Sequence, residues 1–530
     1  MNDMSMLFFV KHYMQITWLK HVPLLYKEYI AITVLIIIGT LLYYLFFRDI
    51  KIIKQGILLC LIILVAYFSS NIWLFFAISF ILINIFCHPS MPAIEKLQQY
   101  AVLLPLLPIN FIYRIPFPGE PEQLFTINYV RMLNLFILLP IFFDLVIKKK
   151  EKIIGSRLDE YVLTFFLFMF IINFRDTSFT NASRMGFYIF LDYFLLYFVI
   201  SRSLREVGQF RKIFNSMGFI ALILAIMAIF ETFKHWHMYH ALGGLMNIDL
   251  PRAYFYKVRL GWLRAAGPFI FAPPLGLFFC MMTGILIFLE YFSPKSKKYI
   301  FDLLILLLFY AMSCTISMGS LVSYMVLLAV FILIAARNAK MRLLKLTILV
   351  LAFIFSVYHP LIVSAVSGLK KIGSLDKKET EMVKSIKFRY NLSGMSLKLL
   401  KRTSLTGSSN YIDASELSEV RKYGGVLLNG KIDIANTYLM ISFRFGTVGI
   451  LLFLWIFIFI LFKLYKIFTR ESNEERSMLG KVLFSTILSY MVMLTTMGLA
   501  TFTPIYLWYL VGLSAAYIAT NNNMQAGLNL

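Results

Sequence analysis

Charge is scarce in this chain, and acid is the scarcer kind. Only 15% of the 530 residues are charged, 27 acidic against 51 basic, while 60% are hydrophobic, including 52 Phe and 30 Tyr. A soluble domain carries roughly 25% charged residues, so a soluble globular fold is excluded. Cysteine is nearly absent. Cys60, Cys87, Cys280 and Cys314 sit far apart, in or at the ends of apolar runs, which gives neither a disulfide framework nor a thiolate metal site and suits small buried apolar residues. Short alternating strands of the kind a membrane β-barrel requires are missing. So are a Walker loop, a dinucleotide fingerprint, a zinc-protease helix and a Gly-x-Ser-x-Gly elbow. The first apolar stretch is interrupted by Lys11 and His12 and has no small-residue cleavage site before Lys20, so no cleavable signal peptide is expected.

What is present is a succession of long apolar runs. A membrane helix needs about 20 mostly apolar residues, and spans are expected at about 30–47, 55–70, 72–87, 98–113, 129–147, 160–174, 187–201, 213–231, 268–292, 300–314, 318–336, 343–358, 436–462, 481–498 and 504–520. The fold class is therefore all-α: a polytopic transmembrane bundle of about 12–15 spans, the shorter ones tilted or re-entrant. The formal net charge of +24 does not point to nucleic acid, because the basic residues gather in short connections: Arg48–Lys54, Lys148–Arg157, Arg202–Lys212, Lys295–Lys298, Arg337–Lys345 and Lys463–Lys481. Such connections face the cytoplasm. The organisation expected is an interfacial segment over 1–29, a bundle over 30–358 with a basic external loop over 232–267, a large external loop over 359–435, further membrane helices over 436–520 and a disordered tail over 521–530.

Three stretches are candidates for chemistry. Arg264 precedes Gly267 and Pro268, with Arg259 just upstream; a guanidinium beside irregular backbone at a helix mouth suits a diphosphate, which it grips in a bidentate fork. Arg389 lies in the 359–435 loop, within Phe388-Arg389-Tyr390-Asn391, ahead of a Leu405-Thr406-Gly407 turn. Met382, Ile386, Tyr390, Leu397 and Leu400 approximate helical spacing there, as in a helix lying on a membrane face with its lysines solvated. The third stretch is Asp433-Ile434-Ala435-Asn436-Thr437-Tyr438-Leu439, followed by Arg444-Phe445-Gly446 as the chain re-enters the membrane.

Together these stretches resemble the O-antigen ligase and polymerase family of polytopic glycosyltransferases. The resemblance covers roughly residues 200 to 470 in order, and rests on the Arg264 mouth, the large loop with its early arginine and Leu-Thr-Gly turn, and an Asn-x-Tyr-Leu re-entry before a Gly-x-x-Gly helix. It implies a GT-C-like bundle whose periplasmic loop covers a site for an undecaprenyl-diphosphate-linked oligosaccharide, with no metal and no nucleotide cofactor. Arg259, Arg264 and Arg389 would hold the diphosphate. Asn436, Tyr438 and Gly446 would form the re-entry motif. A flippase and a chain-length regulator are the implied protein partners. Ligases of the family carry a histidine immediately before the Asn-x-Tyr-Leu stretch, where this chain has Ala435, and the family's Thr-x-Ser-Arg-Gly pattern reads Thr315-Ile316-Ser317-Met318-Gly319 here. Both departures favour a polysaccharide polymerase over a ligase. Asp433 is then the candidate base, and it equally suits an ordinary loop acid or a partner for Arg389.

The bland readings stand beside these. His235, His237 and His240 have spacing that a metal tolerates in a loop, but an interfacial belt accounts for them as well. Asp192 is expected to pair inside the bundle, with Arg184 or Arg175 as partner. Glu231 and Glu290, near span ends, are expected at the interface. A transporter or flippase for a lipid-linked anion remains a separate class, distinguished by cations spread through the membrane depth, and a non-catalytic assembly partner is a third.

Overall fold

A computed structural model describes residues 24–69, 71–109, 112–116, 123–245, 258–259, 261–335, 405–408, 434, 436–499 and 502–528. Among these residues the chain is an all-α bundle, and nine helices are long and apolar enough to cross a membrane, so this is a multi-pass membrane protein. In chain order the elements are α1 Leu24–Phe47, α2 Ile50–Phe68, α3 Ile72–Phe86, α4 Ala93–Leu103, β1 Ile112–Pro116, β2 Gln123–Asn128, α5 Tyr129–Lys148, α6 Arg157–Asp176, α7 Phe179–Ser203, α8 Val207–Lys234, α9 His240–Leu245, β3 Val258–Arg259, β4 Trp262–Leu263, α10 Ala272–Tyr291, α11 Lys295–Cys314, α12 Met318–Ala335, α13 Thr437–Arg470, α14 Glu474–Leu494 and α15 Thr503–Leu528. The strands form two separate antiparallel hairpins, β1 with β2 and β3 with β4.

Helix starts follow from the residues in front of them. Asn71, Asn128, Ser156, Asn436 and Asn473 each accept an amide of the first turn of α3, α5, α6, α13 and α14, satisfying a donor that would otherwise face lipid or an apolar core. Inside the bundle, small hydroxyls join helices: Ser323 Oγ donates to Ser489 O at 2.8 Å, which lets α12 and α14 approach closely.

The expected basic connections come together at one end of the bundle. Arg205 pairs with Glu151 at 2.5 Å, Arg211 with Glu475 at 2.5 Å and Lys51 with Glu95 at 2.9 Å. Tyr291 reaches Glu474 and Lys297 lies over the Phe47 ring. Connection Arg337–Lys345 and the span expected at 343–358 lie outside the described residues, as do residues 1–23. The opposite end of the bundle carries α9, both hairpins, and the starts of α10, α12, α13 and α15.

Two expectations about elements are corrected. A span over 98–113 does not form, since α4 stops at Leu103 and the chain turns through Leu104-Pro105-Leu106-Leu107-Pro108 before the β1–β2 hairpin. Two prolines without amide hydrogens end the helix there. The tail expected to be disordered from 521 instead continues α15 to Leu528.

Candidate functional site

The opposite end is built around the break between β4 and α10. Arg264 donates from Nε to Thr315 O at 3.1 Å, and Arg259 from Nη1 to Ile316 O at 3.3 Å. Both acceptors belong to the turn that follows α11, where Ile316 takes a positive φ of 45°. Between the two arginines and this turn, Ala265 N donates to Cys314 O at 3.0 Å. A carbonyl acceptor orients a guanidinium without a negative charge of its own. Arg259 and Arg264 are both half-buried and bond to successive carbonyls of the same turn.

Beneath them lies Glu231, in the last turn of α8. It is fully buried rather than interfacial as expected. Its Oε2 accepts Ala266 N and Gly267 N, both at 2.9 Å, its Oε1 accepts Met238 N at 2.8 Å, and His237 Nδ1 lies 3.6 Å away. Amide donors in the loop thus replace the water that the carboxylate loses on burial. Glu28, near the start of α1, performs the same service for α9: its carboxylate accepts Ala241 N at 2.8 Å and Tyr67 Oη at 3.2 Å. Two buried acids therefore tie the described parts of the 232–267 loop to the bundle. Glu290 is the other acid expected at the interface; it is half-buried and lies 3.7 Å from Lys298.

The re-entry stretch is shaped by two glycines. Gly446 breaks α13 with φ 69° and ψ −167°, and Gly407 has φ 79°. They meet backbone to backbone. Val448 N donates to Leu405 O at 3.2 Å and Ser408 N to Phe443 O at 2.8 Å, and a Cβ on Gly407 would stand 2.6 Å from Gly446 N. Arg175, at the end of α6, clasps the same turn, its Nη1 donating to Thr406 O at 2.9 Å and to Gly407 O at 3.1 Å. The Leu405-Thr406-Gly407 turn and the Arg444-Phe445-Gly446 stretch, singled out separately in sequence, are thus one docked unit. Asn436 caps α13 through Leu439 N at 3.1 Å, and Tyr438 Oη donates to Met491 O at 2.8 Å, so these two residues set the helix in place.

The mouth and the re-entry helix share this end through the chain between α14 and α15. Phe269 packs on Phe502 with ring centroids 4.8 Å apart, and Thr437 Oγ1 donates to Met497 O at 2.7 Å. Arg389, Asp433 and Ala435 lie outside the described residues.

Asp192 pairs with neither Arg184 nor Arg175. Its partner is Arg131, with Nη2 to Oδ2 at 2.7 Å and Nε to Oδ1 at 3.0 Å. Asp192 sits in a π turn of α7, Phe190–Phe194, which re-aims its side chain toward α5. The Arg131 guanidinium also covers the Tyr188 ring at 3.5 Å. Arg175 is engaged by Asp176 and the 405–407 turn, while Arg184 donates to Asn181.

Among the described residues, no three His, Cys, Asp or Glu side chains are grouped as metal ligands would be. His235 stacks on Trp262 with ring centroids 5.9 Å apart. Burial holds His235 and His240 below the ordinary histidine pKa, and neighbouring His237 adds to the effect on His240. Sequence reasoning missed Glu28 and Arg131 and placed Glu231 at the interface. The available signal was an ionisable residue inside or at the edge of an apolar run, which in a membrane protein always needs a partner.

The chain's fold and site thus define a multi-pass membrane protein with an arginine-bearing mouth at the end opposite its basic connections. No protein-family model matches the sequence, and no curated protein matches it.

Proposed function

We propose that the protein is a polysaccharide polymerase of the bacterial inner membrane, joining undecaprenyl-diphosphate-linked repeat units at its periplasmic end. The observation that carries this reading is the convergence, at the end opposite the basic connections, of the Arg259–Arg264 mouth with the docked Gly407–Gly446 unit, stretches far apart in the sequence. Basic connections face the cytoplasm, so the mouth faces outward. A hydroxyl of the acceptor glycan attacks the anomeric carbon of the donor, the bond from that carbon to the diphosphate oxygen breaks, and the electron pair leaves with undecaprenyl diphosphate. Arg264, Arg259 and Arg389 neutralise that charge as it develops, and Asp433 takes the hydroxyl proton. The reaction needs no metal. Tethering both glycans in one membrane supplies proximity.

Ala435 and Met318, standing where a ligase of the resembled family keeps histidine and arginine, favour polymerisation over transfer to lipid A core or protein. Against a flippase stands the clustering of Arg259 and Arg264 at one end. The test is elongation of lipid-linked repeat units by purified protein in chelator. Arg264→Ala and Arg389→Ala should abolish it while leaving protein level intact. Normal chain length from both variants, or a strict metal requirement, overturns the proposal.

A further inference from the structure

Glu231 has no part in the reaction as proposed, yet it is a fully buried carboxylate in the last turn of a membrane helix. A group so placed persists only when its surroundings satisfy it. Its donors all come from the external loop. Oε2 takes the amides of Ala266 and Gly267, the second and third residues after Arg264, and Oε1 takes Met238 N. The α8 carbonyl of Glu231 also accepts Trp236 N at 3.2 Å. Gly267, in the left-handed region with φ 49°, turns its amide to the same oxygen as Ala266, so one oxygen fixes two successive peptides. Upstream of that fixed point Ala265 N is held by Cys314 O, to which Thr232 Oγ1 also donates at 3.3 Å. Arg264 therefore leaves a backbone pinned on one side by α8 and on the other by the end of α11, and its Nε–Thr315 O bond completes the registration.

We propose that Glu231 is the positioning residue of the mouth, setting the Arg264 guanidinium for a lipid-linked diphosphate by gripping the peptides that follow it. This rests on the polymerase reading for the identity of the anion, and on the geometry alone for the positioning. A glutamine at 231 keeps one acceptor for the Ala266–Gly267 pair but turns an NH₂ toward Met238 N, so the mouth holds its shape with a weaker grip. Alanine leaves all three amides unanswered, and a displacement of about 1 Å at a charge-stabilising group lowers rate by about 100-fold.

Three measurements separate this role from simple loss of folding and from failure of the polymerase reading. Elongation by purified Glu231→Ala should fall about 100-fold, chiefly in kcat, with Glu231→Gln recovering much of it, among variants that remain monodisperse in detergent. Measured on the residual rate of Arg264→Lys, which keeps the charge but loses the Nε bond to Thr315 O, adding Glu231→Ala should cost far less than the loss of about 100-fold it causes in the wild-type protein, because the registered guanidinium that Glu231 positions is already gone. Independently of any activity, a thiol placed by Arg264→Cys should react with a membrane-impermeant maleimide at a rate that changes several-fold when Glu231→Ala is added, in a Cys60→Ser background. Additive losses in the double variant together with an unchanged labelling rate overturn the positioning role. If elongation is indifferent to Arg264→Ala while the labelling rate shifts, the positioning stands and the polymerase reading falls.

Discussion

The two ends of the bundle hold most of their polar groups in different ways. At the basic end, side chains of opposite charge meet, most of them near the surface, Arg205 with Glu151, Arg211 with Glu475 and Lys51 with Glu95, and one pair buried, Arg202 with Asp159 at 2.7 Å. At the other end, bonds to backbone predominate: Arg264 to Thr315 O, Glu231 to three loop amides, Glu28 to Ala241 N, and Arg175, itself paired with Asp176, to Thr406 O. Exposed pairs tolerate movement and are screened by salt. A charged side chain bonded to backbone fixes the path of the chain, which an exposed pair between two mobile side chains does not.

The contrast breaks most severely where charge is buried. Arg131→Ala should leave the Asp192 carboxylate without its ion-pair partner inside the bundle, and removing one partner of a buried pair costs about 3–5 kcal/mol. The expected result is a large fall in the thermal midpoint of the detergent-solubilised protein, with Asp192→Asn milder because the amide still accepts from Nε. A midpoint unmoved by Arg131→Ala would mean that the pair is not buried as described. Next in size is Gly446→Val. A side chain there enters the backbone of Leu405 and Gly407 in a conformation with φ 69°, so the 405–408 turn should lift from α13. Limited proteolysis should then cut near 405 at a much lower protease concentration, while cleavage in the 148–157 connection stays unchanged.

How far this was legible in sequence follows from the same contrast. Apolar runs and clustered Lys and Arg are composition, and they yielded the all-α bundle and the grouping of the basic connections directly. The Arg264 mouth and the Gly446 re-entry were visible because glycine and proline beside arginine mark irregular backbone. Their partners were not visible. Glu231 grips Ala266 and Gly267 across 35 or 36 positions, and Arg175 grips Thr406 across 231, and nothing local in the sequence records the carbonyl or amide at the far end of such a bond. Asp192 shows the limit most clearly. The need for a partner was evident, but the choice fell on Arg131 because a π turn in α7 rotates the carboxylate toward α5, a rotation that apolar periodicity does not encode.

Acidification should affect the two ends unequally. His235 and His240 are held neutral by burial, below the ordinary value of 6.5. A depressed histidine contributes stability that is fully present above about pH 6.5 and is lost as the pH falls through the lowered value. Between pH 7.5 and 5.5 hydrogen exchange should therefore rise in 235–245 and hold steady in 202–212, and His235→Gln with His240→Gln should flatten the rise. Equal acid loosening at both ends would remove histidine protonation as its cause.

The smallest effect is expected at the basic end, and it is the one that makes the comparison quantitative. Arg211 and Glu475 lie 2.5 Å apart, the arginine exposed and the glutamate half-buried, and Arg211 also faces the Phe292 ring at 5.5 Å. Exposed ion pairs contribute about 0–1 kcal/mol, because water solvates each partner nearly as well as the other partner does. Arg211→Ala and Glu475→Ala should each move the thermal midpoint by no more than a degree or two, and the double variant should reveal a coupling that shrinks in high salt. A salt-insensitive coupling as large as that of Arg131 with Asp192 would show that this pair is held like the buried Arg202–Asp159 pair of the same end and not as a surface pair. The distinction between the surface pairs of the basic end and the backbone-bonded charges of the other would then be lost.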